Sequence, residues 1–324
     1  MQANTEESKQ MMLHVSSAEQ IAEGVFSYEL RDGNGAELPE FTAGAHITVT
    51  VPNGTLRSYS LCNNPDERDR YVITVKREDG GRGGSKSLTD GIKKGDLIPV
   101  SEPHNQFPLA AEAKEYIFIA GGIGITPMLS MMRQLNATGD IPYKMYYLSR
   151  WPAATPFLQE LSSPEFKNKV VIHHDQGDPA RSFDLWPVLE KSAARRHVYC
   201  CGPVGLMDAV RDMTGHWPTS TVHFESFSNP AAAPRSDDKP FTVRLASSGA
   251  VVPVPAGVSI LDALREHGCR VSASCESGTC GTCRTNLLAG EADHRDLVLL
   301  EHERADQIMV CVSRATSPEL LLDL

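Results

Sequence analysis

Three cysteines fall within nine residues near the carboxyl-terminal end, in the run CESGTCGTC, and a fourth follows after 27 intervening residues in IMVCVSRA. The spacing is Cys275-x4-Cys280-x2-Cys283…Cys311. C-x4-C-x2-C…C is the plant-type [2Fe–2S] arrangement, in which a compact loop supplies three thiolates and a separate strand the fourth. Such a loop must bring many N–H donors close to sulfur. Small residues allow that, and Gly278 and Gly281 give the backbone the freedom to wrap. Two other readings are open to the same residues. A structural zinc site favours two short C-x2-C pairs, and only one is present. Buried, unligated thiols are common singly but not at this density. Cys62, Cys200 and Cys269 lie outside the pattern and are expected to be ordinary buried thiols.

The rest of the chain bounds what such a site can serve. At 324 residues it exceeds one ordinary core and suits two or three domains. The net charge is −10, and no segment is basic, which argues against a nucleic-acid partner. The longest apolar run, YIFIAGGIGI, is short and broken by glycine, so no membrane span is expected. The start, MQANTEESKQ, lacks an export pattern. A cytoplasmic location is therefore expected, where clustered cysteines bind metal more often than they pair.

Composition and periodicity change three times along the chain. Residues 1–110 alternate short β-like runs with turns, as in His46–Pro52, Arg57–Asn63 and Tyr71–Glu78, which suggests a closed antiparallel barrel or sandwich. Residues 111–226 alternate strands (YIFIA, KMYYLS, VVIHH, HVYC) with helical stretches, implying a parallel α/β sheet. Residues 227–238, FSNPAAAPRSDD, lose apolar periodicity and read as a linker. Residues 239–324 open with a hairpin-like run and a helix, then the cysteine loop.

Glycine-rich turns follow two strands of the second segment. In AGGIGITP, Gly121, Gly122 and Gly124 let backbone N–H groups approach a pyrophosphate, with Thr126 expected as helix N-cap and Pro127 at the first helical position. The third glycine of the usual dinucleotide fingerprint is replaced by Pro127, and the second strand ends at Arg150 rather than an acid. Asp175, in HHDQGD at the end of the third strand, could accept from a ribose 2′-OH and repel a 2′-phosphate, or could merely cap its loop. In CGPVGLM, Gly202 and Pro203 make a turn that presents Cys201.

R-x-Y-S (Arg57–Ser60), GGIGITP and CGP, in this order, resemble the signature of the ferredoxin–NADP reductase superfamily. Joined to a carboxyl-terminal plant-type cluster loop, they resemble the phthalate dioxygenase reductase family. GGRGGS, HHDQGDP, TGHWP, HFESF and GEADHRD extend the likeness over nearly the whole chain. The resemblance implies an FMN-binding β-barrel, an NAD-binding α/β domain and a β-grasp ferredoxin domain, with Cys275, Cys280, Cys283 and Cys311 as cluster ligands. It implies that Arg57 pairs with the flavin phosphate and that Ser58, Tyr59 and Ser60 line the isoalloxazine, Ser60 near N5. Val75 and Lys76 would meet the ring edge through their backbone. Gly83, Gly84 and Ser85 would hold phosphate, and Phe227 would cover the flavin. Thr126 would stand where nicotinamide and flavin meet, Cys201 against the nicotinamide, and Arg150 and Asp175 beside the rest of the nucleotide.

The chemistry this implies is an NADH-dependent oxidoreductase. NADH yields an electron pair as hydride, a [2Fe–2S] cluster takes one electron at a time, and a flavin can do both. The implied acceptor is a Rieske-type aromatic-ring oxygenase, and the chain is expected to be a monomer. Two alternatives stay open: a haem protein or another oxygenase as acceptor, and a non-catalytic adaptor with a zinc loop.

Overall fold

β1 (Gln10–Ala22) and β2 (Val25–Arg31) form a hairpin around Gly24, whose φ of 68° permits the reversal. The computed structural model describes residues 10–81, 83–139, 141–227, 229–273, 275–279 and 281–324. They divide into two units, one ending at Ser226 and the other running Phe227–Leu324.

In the first half of unit 1, the hairpin is joined by β3 (His46–Thr50), β4 (Leu56–Ser60), β5 (Tyr71–Lys76), helix α1 (Gly84–Gly91) and β6 (Leu97–Ser101). The antiparallel order is β4-β3-β6-β1-β2-β5. Alternate residues such as Leu13, Val15, Ile47, Val49 and Ile73 fill one core. The expected closed barrel is not formed. The end strands meet only at the Leu61↔Ile73 bridge, reinforced by Cys62 N donating to Val72 O at 2.8 Å. Beyond the bridge, Ser58–Ser60 and Thr74–Lys76 lie on strand edges with no ladder between them.

The second half of unit 1 holds β7 (Glu115–Gly121), α2 (Ile125–Thr138), β8 (Tyr143–Ser149), α3 (Leu158–Leu161), β9 (Val170–His174), α4 (Trp186–Leu189), β10 (Arg196–Cys201), α5 (Val204–Met213) and β11 (Val222–Glu225). The sheet is parallel, in the order β11-β10-β7-β8-β9. Period-two alternation serves both faces. Phe118, Ala120, Tyr147 and Tyr199 pack toward α2, while Ile117, Ile119, Val198 and Cys200 pack toward α4 and α5. Because β7 has β8 on one side and β10 on the other, the chain leaves the first strand in opposite directions. The crevice at the carboxyl ends of β7 and β10 is the switch point of the sheet.

Unit 2 contains β12 (Phe241–Leu245), β13 (Val251–Val254), α6 (Ile260–Glu266), β14 (Arg284–Ala289), β15 (Ala292–Asp293), β16 (Gln307–Met309), β17 (Arg314–Ala315) and β18 (Glu319–Leu322). A mixed sheet, β13-β12-β18-β14-β16, has a parallel central pair, β12 and β18, and shares its core with Ile260, Leu261 and Leu264 of α6. This is the β-grasp arrangement. The stretch expected as a linker is fastened to this unit. Asn229 Nδ2 donates to Arg295 O at 2.6 Å, and Asp238 accepts from Arg295 Nη2 at 2.5 Å with both side chains buried. Its anchors lie far along the chain, so local composition gave no sign of them.

Candidate functional site

The split between β4 and β5 holds the residues of the RSYS motif. Tyr59 pairs across to Ile47, and Ser60 to His46. The Tyr59 hydroxyl is buried, has no hydrogen-bond partner among the described residues, and is pushed up to about 12 by desolvation. Ser58 Oγ lies 3.3 Å from Thr48 Oγ1. Val75 is buried at the end of β5, and Lys76 pairs with Glu78. Arg57 runs against the first turn of α1. A side chain at Gly84 would begin 2.4 Å from Arg57 Nε, so a residue larger than glycine would displace the Arg57 side chain. Gly83 caps α1 at φ 81°, and Ser85 Oγ accepts from Glu78 N at 3.1 Å, which holds the approach loop. These residues place an arginine beside a helix N-terminus, an anion-binding combination.

Next to this split lies the switch point of the parallel sheet. The turn Gly122–Gly124 packs beside β5. Gly124 presses on the backbone of β10, where a Cβ would lie 2.2 Å from Cys201 O, and Gly121 abuts Pro203 and Gly202. The two glycine turns therefore interlock, and Cys201 is fully buried beneath them. Burial, then the charge of Glu225, pushes its thiol well above the ordinary range. Thr126 does not cap α2 as expected. The helix begins at Ile125 behind a 3₁₀ turn, with Gly124 as N-cap, and Thr126 Oγ1 donates back to Ile123 O at 3.1 Å. Pro127 sits within the first turn, where its missing N–H costs nothing.

At the far side of the sheet, Arg150 and Asp175 follow the ends of the adjacent strands β8 and β9. Gln176 N donates to Arg150 O at 2.8 Å, so the two loops run together. Asp175 Oδ1 accepts from Gly177 N at 2.8 Å, the loop-capping geometry, which leaves Oδ2 for other work.

The structure also brings in a residue that the sequence reading passed over. Glu225 ends β11 beside Cys201, with Ser60 from the other half of the unit near its carboxyl. Its Oε2 is sealed from solvent with no partner among the described residues. Desolvation by burial raises this carboxyl to about 8. The available signal was an acid closing an otherwise apolar strand in HFESF.

In unit 2, Ser277 N and Thr279 N both point at Cys275 Sγ, each at 3.4 Å. Two backbone donors on one sulfur suit a thiolate ligand. Gly278, at φ 69°, lets the loop lie against Val312, next to Cys311. Cys283 and Cys311 are both buried, and Cys283 Sγ lies 4.0 Å from Met309 Sδ. Cys280 lies outside the described residues. None of the described cysteines forms a disulfide. Phe227 opens unit 2 with 42% of its surface exposed.

Three family models match in order: an oxidoreductase FAD-binding domain over residues 12–108, an oxidoreductase NAD-binding domain over 118–212, and a 2Fe-2S iron-sulfur cluster binding domain over 243–316. The chain is 57% identical to phthalate dioxygenase reductase of Burkholderia cepacia over 97% of both chains. It is 54% identical to the phthalate 4,5-dioxygenase oxygenase reductase subunit of Pseudomonas putida over 96% of both. A solved phthalate dioxygenase reductase, described as modular for electron transfer from pyridine nucleotides to [2Fe-2S], superposes with a TM-score of 0.85 at 56% identity, covering 98% of this chain and 99% of that one.

Fold and site together define an iron–sulfur flavoprotein oxidoreductase, with flavin, pyridine nucleotide and a [2Fe–2S] cluster as its cofactors. The chain belongs to the phthalate dioxygenase reductase family. The residues present fit those groups: an arginine at a helix start, an orphaned buried tyrosine hydroxyl beside an open strand edge, and cysteine sulfur met by two N–H donors. Among the described residues, no helix is long and apolar enough to cross a membrane.

Proposed function

We propose that this chain passes electrons from NADH through FMN and a [2Fe–2S] cluster to a Rieske-type oxygenase, with phthalate dioxygenase or a related oxygenase or demethylase as the acceptor. The observation that carries the reading is the packing of the Gly122–Gly124 turn beside β5. It sets the open strand edge of one half of unit 1 against the sheet switch point of the other. When bound, the flavin supplies the conversion of a hydride into two single electrons, and the cluster supplies one-electron carriage.

The protein's own residues position and hold protons. Ser58, Tyr59 and Ser60 on one edge, with the backbone of Val75 and Lys76 on the other, line the ring. Arg57 with Gly83, Gly84 and Ser85 holds one phosphate, which suits FMN. Gly121, Gly122, Gly124, Thr126, Gly202 and Pro203 shape the nicotinamide crevice, and buried Cys201 packs under it. Glu225, its carboxyl raised by burial, lies near the Ser60 hydroxyl and can hold a proton there. Asp175 and Arg150 face the remainder of the nucleotide. Cys275, Cys280, Cys283 and Cys311 hold the cluster.

Among relatives, a vanillate O-demethylase oxidoreductase of Pseudomonas putida is 40% identical over 96% of this chain. That likeness supports a demethylase as one of the acceptors to try. A haem acceptor is the second reading. An intact type IV self-sufficient cytochrome P450 monooxygenase matches all of this chain at 35% identity and a TM-score of 0.78, with 43% of its own chain covered. Reconstitution with NADH decides between them: the purified chain is mixed with candidate Rieske oxygenases and haem monooxygenases, and product formation is measured. Turnover only with a haem partner would overturn the first reading. Chromatography of the released flavin tests FMN, and finding FAD would overturn the single-phosphate argument.

A further inference from the structure

Three residues on one face of α2, Thr126, Ser130 and Arg133, follow the i, i+4, i+7 spacing that aligns side chains along a helix. Thr126 stands at the start of that face, beside the glycine turn. Ser130, fully buried, donates Oγ to Asn63 O at 2.8 Å. Arg133 donates Nη1 to Cys62 O at 2.7 Å. Its Nε and Nη2 are held by Glu160 on α3, with Nε at 3.0 Å and Nη2 at 2.7 Å from Oε1, and Nη2 at 2.8 Å from Oε2. A guanidinium fixed by a carboxylate has one remaining direction for its other nitrogen.

Both accepting carbonyls lie two and three residues beyond Ser60, where β4 meets β5. There Cys62 N donates to Val72 O at 2.8 Å, and Val72 N donates to Asn63 Oδ1 at 3.0 Å. The Asn63 amide in turn donates to Arg70 O at 3.0 Å. The helix face therefore grips the closed end of the strand split, and through it both strands that line the open end.

We propose that Ser130 and Arg133 are positioning residues for hydride transfer. They lock the helix that begins at the glycine turn onto the carbonyls of Asn63 and Cys62, which sets the distance between the nicotinamide crevice and the flavin-binding edge. The proposal rests on the electron-transfer reading above. Neither residue touches the reacting atoms; each acts through the backbone it holds.

The test uses the oxygen-free, cofactor-loaded full chain in stopped flow with NADH. In Arg133→Ala the limiting rate of flavin bleaching should fall by roughly tenfold to a hundredfold, the scale expected for an ångström of misplacement. Ser130→Ala should fall less, and Arg133→Lys, which keeps one donor, should recover part of the rate. The isotope effect with 4-deuterated NADH should grow as hydride transfer becomes more limiting. In variants that fold, flavin content and reduction by dithionite should stay near wild type, which a loss of the flavin site would not allow. If Arg133→Ala does not fold, Ser130→Ala and Arg133→Lys carry the same comparison. Folded, flavin-loaded variants with wild-type limiting rates and isotope effects would overturn the proposal. Slowing that tracks flavin loss alone would also overturn it. Failure of the wild type to bleach with NADH would overturn the electron-transfer reading instead.

Discussion

The two units solve the same problem of holding a redox group by opposite means. In unit 2 the loop that carries Cys275 and Cys283 is local, and its N–H donors come from Ser277 and Thr279 within the same turn. In unit 1 the site is assembled from the ends of β4, β5, β7, β10 and β11, and its key contacts cross long stretches of chain, such as Ser130 to Asn63 and Arg133 to Cys62. A local site is robust to movement elsewhere but fails completely when a ligand is lost. A dispersed site depends on register and fails by degrees.

The largest effect should come from the local site. Cys275→Ser, Cys283→Ser or Cys311→Ser should each remove most bound iron and sulfide, whereas Cys269→Ser should leave both at wild-type levels. Iron and acid-labile sulfide assays decide this, and a full cluster in Cys311→Ser would break the contrast.

Next is the buried ion pair that fastens residue 238 to unit 2. The Arg295 hydrogen bond holds the Asp238 carboxyl down at about 2. Removing one partner of such a pair costs on the order of 3–5 kcal/mol, so Asp238→Asn should lower the denaturation midpoint of unit 2 clearly. Because the folded value lies below the unfolded one, Asp238 stabilises the fold above about pH 4, and that contribution is lost as pH falls toward 2. Acid unfolding of wild type, followed by cluster absorbance, should steepen in that window, and the variant should lack that component.

Glu225 sharpens the comparison from the other side. Its folded value, about 8, lies above the ordinary 4.5. The folded state therefore binds the extra proton between those values, and stability from this group falls as pH rises through about 8. Hydride transfer should decline over the same range as the carboxyl ionises against Ser60. Glu225→Gln should remove that limb of the pH profile and slow the limiting rate by up to roughly a hundredfold to ten-thousandfold, a proton-relay scale. An unchanged limb would assign it to another group.

The smallest effect belongs to the nucleotide's far end. If Asp175 Oδ2 meets the ribose 2′-hydroxyl, Asp175→Ala should narrow the NADH/NADPH ratio of kcat/KM, mainly by weakening NADH use, while dithionite reduction of the cluster stays the same. A ratio that moves with Arg150→Ala and not with Asp175→Ala would place selectivity on β8.

What was legible in the sequence follows the same division. The cysteine spacing, the strand and helix runs of the parallel sheet and the RSYS and glycine-turn motifs are local patterns. The structure puts β4, β7, β8, β9 and β10 where those patterns lie. The barrel was overextended, because closure depends on pairing between β4 and β5, which stops after one bridge. Thr126 was misassigned as a cap because a preceding 3₁₀ turn takes over the helix start. Glu225 was passed over because its meaning comes from Ser60, distant in sequence. The segment 227–238 looked loose because Arg295, which holds it, lies 57 positions beyond Asp238.

The central claim, that electrons enter at the dispersed site and leave by the local one, is tested most directly by a single-turnover experiment. One equivalent of NADH is mixed with the oxygen-free, cofactor-loaded protein, and flavin and cluster absorbance are followed together. The account predicts that the flavin signal falls first and then partly recovers as the cluster bleaches, and that in Cys311→Ser the first phase persists alone. Cluster bleaching that precedes the flavin change, or that proceeds in protein stripped of flavin, would contradict it.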